Sequence, residues 1–297
     1  MACSRIRVAL IQYIVKAKKS DNLATARIKV EQAAANGAKI VCLPECFGFP
    51  FGVQYFSVNA EPIPGDTSAM LSETAKKHGV YLVGGSMAEV EGGKLYNTCL
   101  VYGPDGSLIA KHRKVHLFDV DIPGKMTFQE SASFAAGNAL TTFDTPGLKV
   151  GLGICYDLRF APMAQIYAQR GCKLLVYPSA FSIPTGSMHW ELLQGIRAVD
   201  NQILSWEWAL FHDLIVLFPI KVYVATTSPA TDRRAPVPAW GHTMMVDPMG
   251  KVVASAGHEE GTVIADVDLD YLQAVRNQIP VTRQMRSDLY SVVSRKS

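Results

Sequence analysis

Apolar positions fall into short runs that alternate with longer stretches of helical spacing. Residues 6–12 (IRVALIQ) read as a strand. Residues 21–36 read as a helix, with Asp21 as N-cap and Gly37 just past its end. Residues 39–44 (KIVCLP) are almost wholly apolar, which suits a strand buried on both faces. A helix over 67–78 follows, capped by Thr67 and ended by Gly79, and then a strand at 80–84. The pattern then changes. Residues 95–103 and 107–114 are two extended runs joined by Pro104-Asp105-Gly106, strong hairpin chemistry. The second half resumes the alternation, with strands at 149–155 and 173–178 and helices at 160–170 and 187–200. Asp247-Pro248-Met249-Gly250 joins two later strands. A strand at 261–267 and a helix at 268–277 follow. Helices interleaved with buried strands and punctuated by hairpins argue for an α/β fold with mixed sheets. No linker divides the chain, so 1–297 reads as one domain. The pattern does not choose between a doubly wound sheet and two sheets packed face to face.

Composition narrows the picture. With 297 residues and 48% hydrophobic content, the chain can bury a large core. A net charge of +3 without a dense Lys/Arg block gives no footprint for nucleic acid. The chain enters an alternating apolar run at Ile6, Val8 and Leu10 with no charged leader, which argues against a signal peptide. The six cysteines show no disulfide-framework spacing, which favours a reducing, cytoplasmic compartment. Cys42 and Cys46 are spaced like a metal pair, but no second Cys/His pair accompanies them, so no metal is expected. No P-loop, GxGxxG or HExxH occurs, and no cofactor is expected.

Three polar residues end apolar strands: Glu45 after KIVCLP, Lys114 after SLIAKHR, and Cys155 after KVGLGI. Strand C-termini in α/β sheets open onto the usual ligand crevice. Singly, each has a bland explanation. A strand-end Glu or Lys is ordinarily a solvated edge residue, and a Cys after GLGI is ordinarily core. Together they are chemically complementary. Lys114 would lower the thiol pKa and stabilise an oxyanion, helped by a backbone N–H near Tyr156. Glu45 would take the thiol proton, pass it to leaving ammonia, and activate water.

LPECFGFPFG (43–52), HRKVHLFDVDIPGKMTFQE (112–130) and GLGICYDLRFAPMAQIYAQRGCKLLVYPSAF (151–181) resemble the three signature regions of the nitrilase superfamily of carbon–nitrogen hydrolases. The likeness runs to about Tyr290. It implies a four-layer αββα sandwich of two mixed sheets that forms a homodimer. It also implies a catalytic triad of Glu45, Lys114 and Cys155, with Glu130 holding the lysine and substrate. Nitrilases proper follow the cysteine with Trp-Glu; Tyr156-Asp157 and the surrounding run most resemble the omega-amidase branch. That branch hydrolyses the terminal amide of 2-oxo acids such as 2-oxoglutaramate and 2-oxosuccinamate. It implies a cytoplasmic enzyme, with a mitochondrial share as a further expectation. Arg159 matches its carboxylate-binding arginine; the bland alternative is a structural salt bridge. Tyr156, Phe51 and Tyr55 are candidate pocket residues. Phe51 stands where this branch has tyrosine.

One stretch departs from the family. The family pattern passes directly from Val199-Asp200-Asn201-Gln202 into Val222-Tyr223-Val224-Ala225, so 203–221 reads as an atypical apolar insertion. Glu207, His212, Asp213 and Pro219 interrupt it, which argues against a membrane span. Two alternatives to an omega-amidase stand at this point. One is an amidase for deaminated glutathione. The other is a form impaired by the insertion that serves only in interactions.

Overall fold

The computed structural model describes residues 5–124, 126–200, 221–280, 284, 286 and 288–295. Segment 203–221, apart from Lys221, lies outside them. In chain order the first half comprises β1 Arg5–Gln12, α1 Lys19–Ala35, β2 Ile40–Cys42, a short α2 Val53–Phe56, α3 Asp66–His78, β3 Tyr81–Val83, β4 Met87–Glu91, β5 Lys94–Tyr102, β6 Leu108–Arg113, β7 Asp119–Ile122 and β8 Met126–Gln129. The second half comprises β9 Thr141–Thr145, β10 Leu148–Leu152, α4 Ala161–Gln169, β11 Leu174–Pro178, α5 Ile183–Asp200, β12 Tyr223–Thr227, β13 Met244–Val246, β14 Val252–Ser255, β15 Gly261–Asp268 and α6 Leu269–Gln278.

The strands build two mixed sheets and a separate β7–β8 hairpin. A seven-stranded sheet runs β15-β1-β2-β3-β5-β4, with β6 also on β5; a six-stranded sheet runs β14-β13-β12-β11-β10-β9. Each contains a parallel triplet, β1-β2-β3 in one and β10-β11-β12 in the other, flanked by antiparallel strands. The two-residue period of the strands partitions the core. Val8 and Leu10 of β1, with Cys99 and Val101 of β5, share one apolar cluster with Leu152, Val176, Val224 and Met244 of the other sheet. Their neighbours Ala9, Ile11, Leu100 and Tyr102 point the other way, against Ala26 and Val30 of α1 and Leu71 and Ala75 of α3. Met163 and Tyr167 of α4 and Trp190 of α5 pack on the six-stranded sheet.

The pattern reading holds for most elements but misplaces the helix starts. α1 begins at Lys19 with Lys18 as N-cap, so Asp21 sits in the first turn and caps nothing. The adjacent Asn22 organises that entry instead, accepting from Lys16 N at 2.8 Å and donating to Lys16 O and Gly48 O. α3 is capped by Gly65 through Ser68, and Thr67 lies within its first turn. α5 begins at Ile183, four residues before the expected start. The hairpin turn is as expected: Gly106 has φ 84°, and Asp105 accepts from Ser107 N at 2.9 Å. Among the described residues, no helix is long and apolar enough to cross a membrane.

Candidate active site

Three chain segments leave their strands and turn toward one buried point. Glu45 lies three residues beyond β2. Its loop is pressed against Gly85, where a Cβ would stand 2.1 Å from Pro44 O, and Ser86 Oγ accepts from Cys46 N at 3.0 Å. Lys114 follows β6 directly; its N–H donates to Asn97 O at 2.8 Å. Glu130 opens a single helical turn after β8.

Cys155 departs from the strand-end placement read from sequence. β10 stops at Leu152, and Cys155 begins a short helical turn over Cys155–Arg159 with φ 47°. A non-glycine residue in that region costs about 1–3 kcal/mol and persists only where its surroundings enforce it. Asp157 does the enforcing. Its carboxylate accepts from Ile154 N at 2.9 Å and His116 N at 2.9 Å, and lies 3.2 Å from His112 Nε2 and 2.8 Å from His116 Nδ1. Burial raises the Asp157 pKa, but the two histidines and the backbone N–H outweigh it and hold the carboxyl well below its ordinary value.

At the centre, Lys114 Nζ is 2.9 Å from Glu45 Oε1 and 2.9 Å from Glu130 Oε2, and all three side chains are closed to solvent. Asn97 Nδ2 bridges the same carboxylates at 2.9 and 3.1 Å. Phe118 N donates to Glu130 Oε2 at 2.6 Å. Burial opposes the Lys114 charge, yet Glu130 and Glu45 hold its pKa well above the ordinary value. Burial raises the Glu45 pKa, against Lys114 and aided by Glu130. Glu45 Oε2 has no hydrogen-bond partner.

The thiol corrects one expectation. Lys114 does favour the Cys155 thiolate, as does the Ala180 backbone N–H. Burial and the neighbouring Glu45 charge outweigh both, and the Cys155 pKa is well above that of an ordinary thiol. Cys155 therefore rests as a thiol beside a carboxylate with a free oxygen. That pairing suits proton transfer coupled to attack rather than a standing thiolate.

A narrow pocket opens onto Cys155, walled by Phe51, Phe118, Tyr156, Arg159, Ala180, Phe181 and Thr185. Phe51 stacks on Phe128 with centroids 5.3 Å apart. Tyr55, expected to line the pocket, does not; it lies on α2 and packs on the apolar cluster around Phe49 and Phe56. The Arg159 guanidinium faces the Phe181 ring at 5.0 Å and the Tyr156 ring at 5.6 Å. Among the described residues no carboxylate pairs with it, so the structural salt bridge is not made. Its Nη1 instead donates to His189 Nδ1 at 3.2 Å. Cys42 and Cys46 are both buried, and no group of three metal-ligating side chains gathers among the described residues.

The sequence reading missed Asn97, Asp157 as a buttress, and His189. Asn97 sits inside a strand with no local signal. Asp157 was in view beside the cysteine, but its partners His112 and His116 are more than 40 residues away in sequence. His189 is 30 residues from Arg159.

The family model for carbon–nitrogen hydrolases matches residues 7–277. The chain belongs to the carbon–nitrogen hydrolase family. Among relatives of this carbon–nitrogen hydrolase, Omega-amidase NIT2 of Danio rerio is 55% identical over 291 residues, covering 98% of each chain. Omega-amidase NIT2 of Homo sapiens is 56% identical over 290 residues, again covering 98% of each. Of solved structures, Saccharomyces cerevisiae Nit3, described as a member of branch 10 of the nitrilase superfamily, superposes with TM-score 0.82 at 37% identity, covering 96% of this chain and 98% of that one. The C. elegans NitFhit protein gives TM-score 0.84 at 31% identity, covering all of this chain and 69% of that one.

Asp157 yields a prediction with a definite sign. Its folded pKa is depressed, so its contribution to stability is full above the ordinary carboxyl value of about 3.9 and fades as pH falls toward the folded value. Asp157→Asn should lose stability at neutral pH and show a flatter acid limb below about pH 4 in urea midpoints. It should also slow turnover, because an amide nitrogen would face backbone donors in the turn carrying Cys155. An unchanged acid limb would remove Asp157 from this role.

Proposed function

We propose that this carbon–nitrogen hydrolase is an omega-amidase that cleaves the terminal amide of 2-oxo acid amides such as 2-oxoglutaramate or 2-oxosuccinamate. Its relatives named Omega-amidase support that reading across almost the whole chain. The observation that carries it is Arg159: a guanidinium with no carboxylate partner among the described residues, in the same pocket as Cys155. A substrate that ends in a carboxylate would supply the missing anion.

In this reading Cys155 Sγ attacks the amide carbon while its proton passes to Glu45, at the oxygen left without a partner. Lys114 Nζ and a backbone N–H stabilise the oxyanion. Glu45 returns the proton to nitrogen, the C–N bond breaks, ammonia leaves, and a thioester remains. Water then adds to the thioester and gives a proton to Glu45. The C–S bond breaks, the carboxylic acid is released, and the thiolate takes the proton back. Glu130 holds Lys114 as well, with Oε2 2.9 Å from Nζ. The raised pKa of Glu45 suits a group that must both accept and return a proton. Contacts of 2.9 Å on both sides of Lys114 favour a working centre over an interaction-only form.

The architecture that goes with this reading is a four-layer αββα sandwich, with α1 and α3 outside one sheet and α4 and α5 outside the other. A homodimer goes with it as well. Met188, Leu192 and Ile196 support the dimer; they form an exposed apolar stripe at one-turn spacing along α5, 44%, 58% and 36% accessible. Sedimentation equilibrium should return twice the 32.4 kDa chain mass; a monomer mass at micromolar concentration would contradict it.

Cys155→Ala should abolish ammonia release while the urea midpoint stays close to wild type. Quenched wild-type enzyme should carry an acyl adduct on Cys155 by mass spectrometry. Ammonia release by the variant near the wild-type rate would overturn the assignment. Arg159→Lys should cut kcat/KM on carboxylate-bearing amides by roughly 10- to 100-fold, the range expected when a hydrogen-bonded charge partner is lost. Uncharged amides should lose much less, and equal losses on both would make Arg159 structural.

A further inference from the structure

The geometry points to His189 as a positioning residue that sets which edge of Arg159 receives the substrate carboxylate. This inference rests on the omega-amidase reading and adds to it a residue on a different element from the signature motif. α5 grips Arg159 at two places. Arg197 Nε donates to Leu158 O at 2.8 Å and its Nη2 to Arg159 O at 3.0 Å, which pins the backbone that carries Arg159. His189, two helical turns earlier, accepts from Arg159 Nη1 at 3.2 Å, which pins the side chain.

α5 is itself held firmly. Trp190 is fully buried, its Nε1 donates to His242 O at 2.7 Å, and its ring meets Phe181 edge-to-face with centroids 5.1 Å apart. Thr185, one turn before His189, forms part of the pocket wall. His189 is thus presented from a rigid support, on the side of α5 that meets the pocket.

The consequence lies in the guanidinium. Arginine binds a carboxylate bidentately either end-on, through both terminal nitrogens, or side-on, through Nε and Nη2. His189 takes one of the two Nη1 N–H groups, so an end-on carboxylate would have to share Nη1 with it, while Nε faces no competing acceptor among the described residues. Arg159 Nε is buried and has no partner, so the side-on edge has a donor waiting. A buried, unsatisfied N–H is costly to leave unmade, which makes this edge the one that gains most from a carboxylate. For the guanidinium to donate here, His189 Nδ1 presents its lone pair. Without an acceptor at that position, the guanidinium is free to rotate on its stem and both modes compete.

The test uses two probe substrates, succinamate and butyramide, which share the amide and differ in the terminal carboxylate. The readout is the ratio of their kcat/KM values. His189→Leu removes the acceptor and should lower this selectivity about ten-fold, the scale of one hydrogen bond to a charged group. His189→Asn places Oδ1 close to the former Nδ1 position and should restore most of it. His189→Gln reaches instead toward the Nε2 position and should not. Selectivity unchanged in His189→Leu, at an unchanged thermal midpoint, overturns the inference and leaves the omega-amidase reading standing. Equal loss in all three variants also overturns it, since a purely structural role would not distinguish Asn from Gln. No preference for succinamate in the wild-type enzyme overturns the omega-amidase reading itself.

Discussion

The site depends on one buried cation held between two buried carboxylates. The Lys114 side chain is closed to solvent, so its charge is held by Glu45 and Glu130, each 2.9 Å away. Removing one partner from such an arrangement leaves an uncompensated charge in the interior, at a cost of about 3–5 kcal/mol. Each carboxylate arrives on a different loop. The cluster therefore ties β2, β6 and the β7–β8 hairpin to one point, and a shift in any of them breaks it. Asn97 adds a donor to both carboxylates. Burial raises the proton affinity of Glu45 and Cys155 first, and the neighbouring carboxylate charge, Glu130 for Glu45 and Glu45 for Cys155, raises it further.

Proton affinity and strain meet at Cys155. A thiolate standing beside the buried Glu45 carboxylate would be repelled by it. In the proposed mechanism, keeping the proton until substrate arrives would make deprotonation part of the attack. The positive φ at Cys155 turns the thiol out of the β10 direction and into the pocket wall. Asp157, two residues on, holds that turn through a backbone N–H of the turn and two histidines at the end of β6 and just beyond it. The strand carrying Lys114 and the turn carrying Cys155 are thereby fixed to each other by a second buried charge, independent of the first.

The pocket divides its work between a polar floor and aromatic walls. Phe51, Phe118, Tyr156 and Phe181 exclude water and leave Arg159 as the cation facing the space. An aliphatic amide would fill such a pocket without engaging Arg159. An amide that ends in a carboxylate would engage both ends, with the scissile bond at Cys155 and the anion at the guanidinium. α5 has no part in the signature motifs, yet it shapes the surroundings of Arg159 through His189, Thr185 and Arg197.

Much of this was readable in the chain itself. Alternation and turn chemistry located most strands and the hairpin at Pro104-Asp105-Gly106, because side-chain period and backbone φ requirements are local properties. Glu45, Lys114 and Cys155 stood out as strand-end residues of complementary chemistry, and Glu130 and Arg159 through the resemblance to the nitrilase superfamily. What sequence misjudged were quantities that depend on neighbours distant in the chain. The N-cap positions went to Lys18 and Gly65 rather than Asp21 and Thr67: Asn22 anchors the first entry through Gly48 O, distant in the chain, and Ser68 holds the second through Gly65. The direction of the Cys155 pKa reversed, because burial and Glu45 outweigh Lys114. Tyr55 left the pocket, and His189 entered the neighbourhood of Arg159 from 30 residues away. Sequence determined which groups are available to react. Only the tertiary structure decided their protonation, their strain and the edge each presents, because those follow from distance and dielectric rather than from order along the chain.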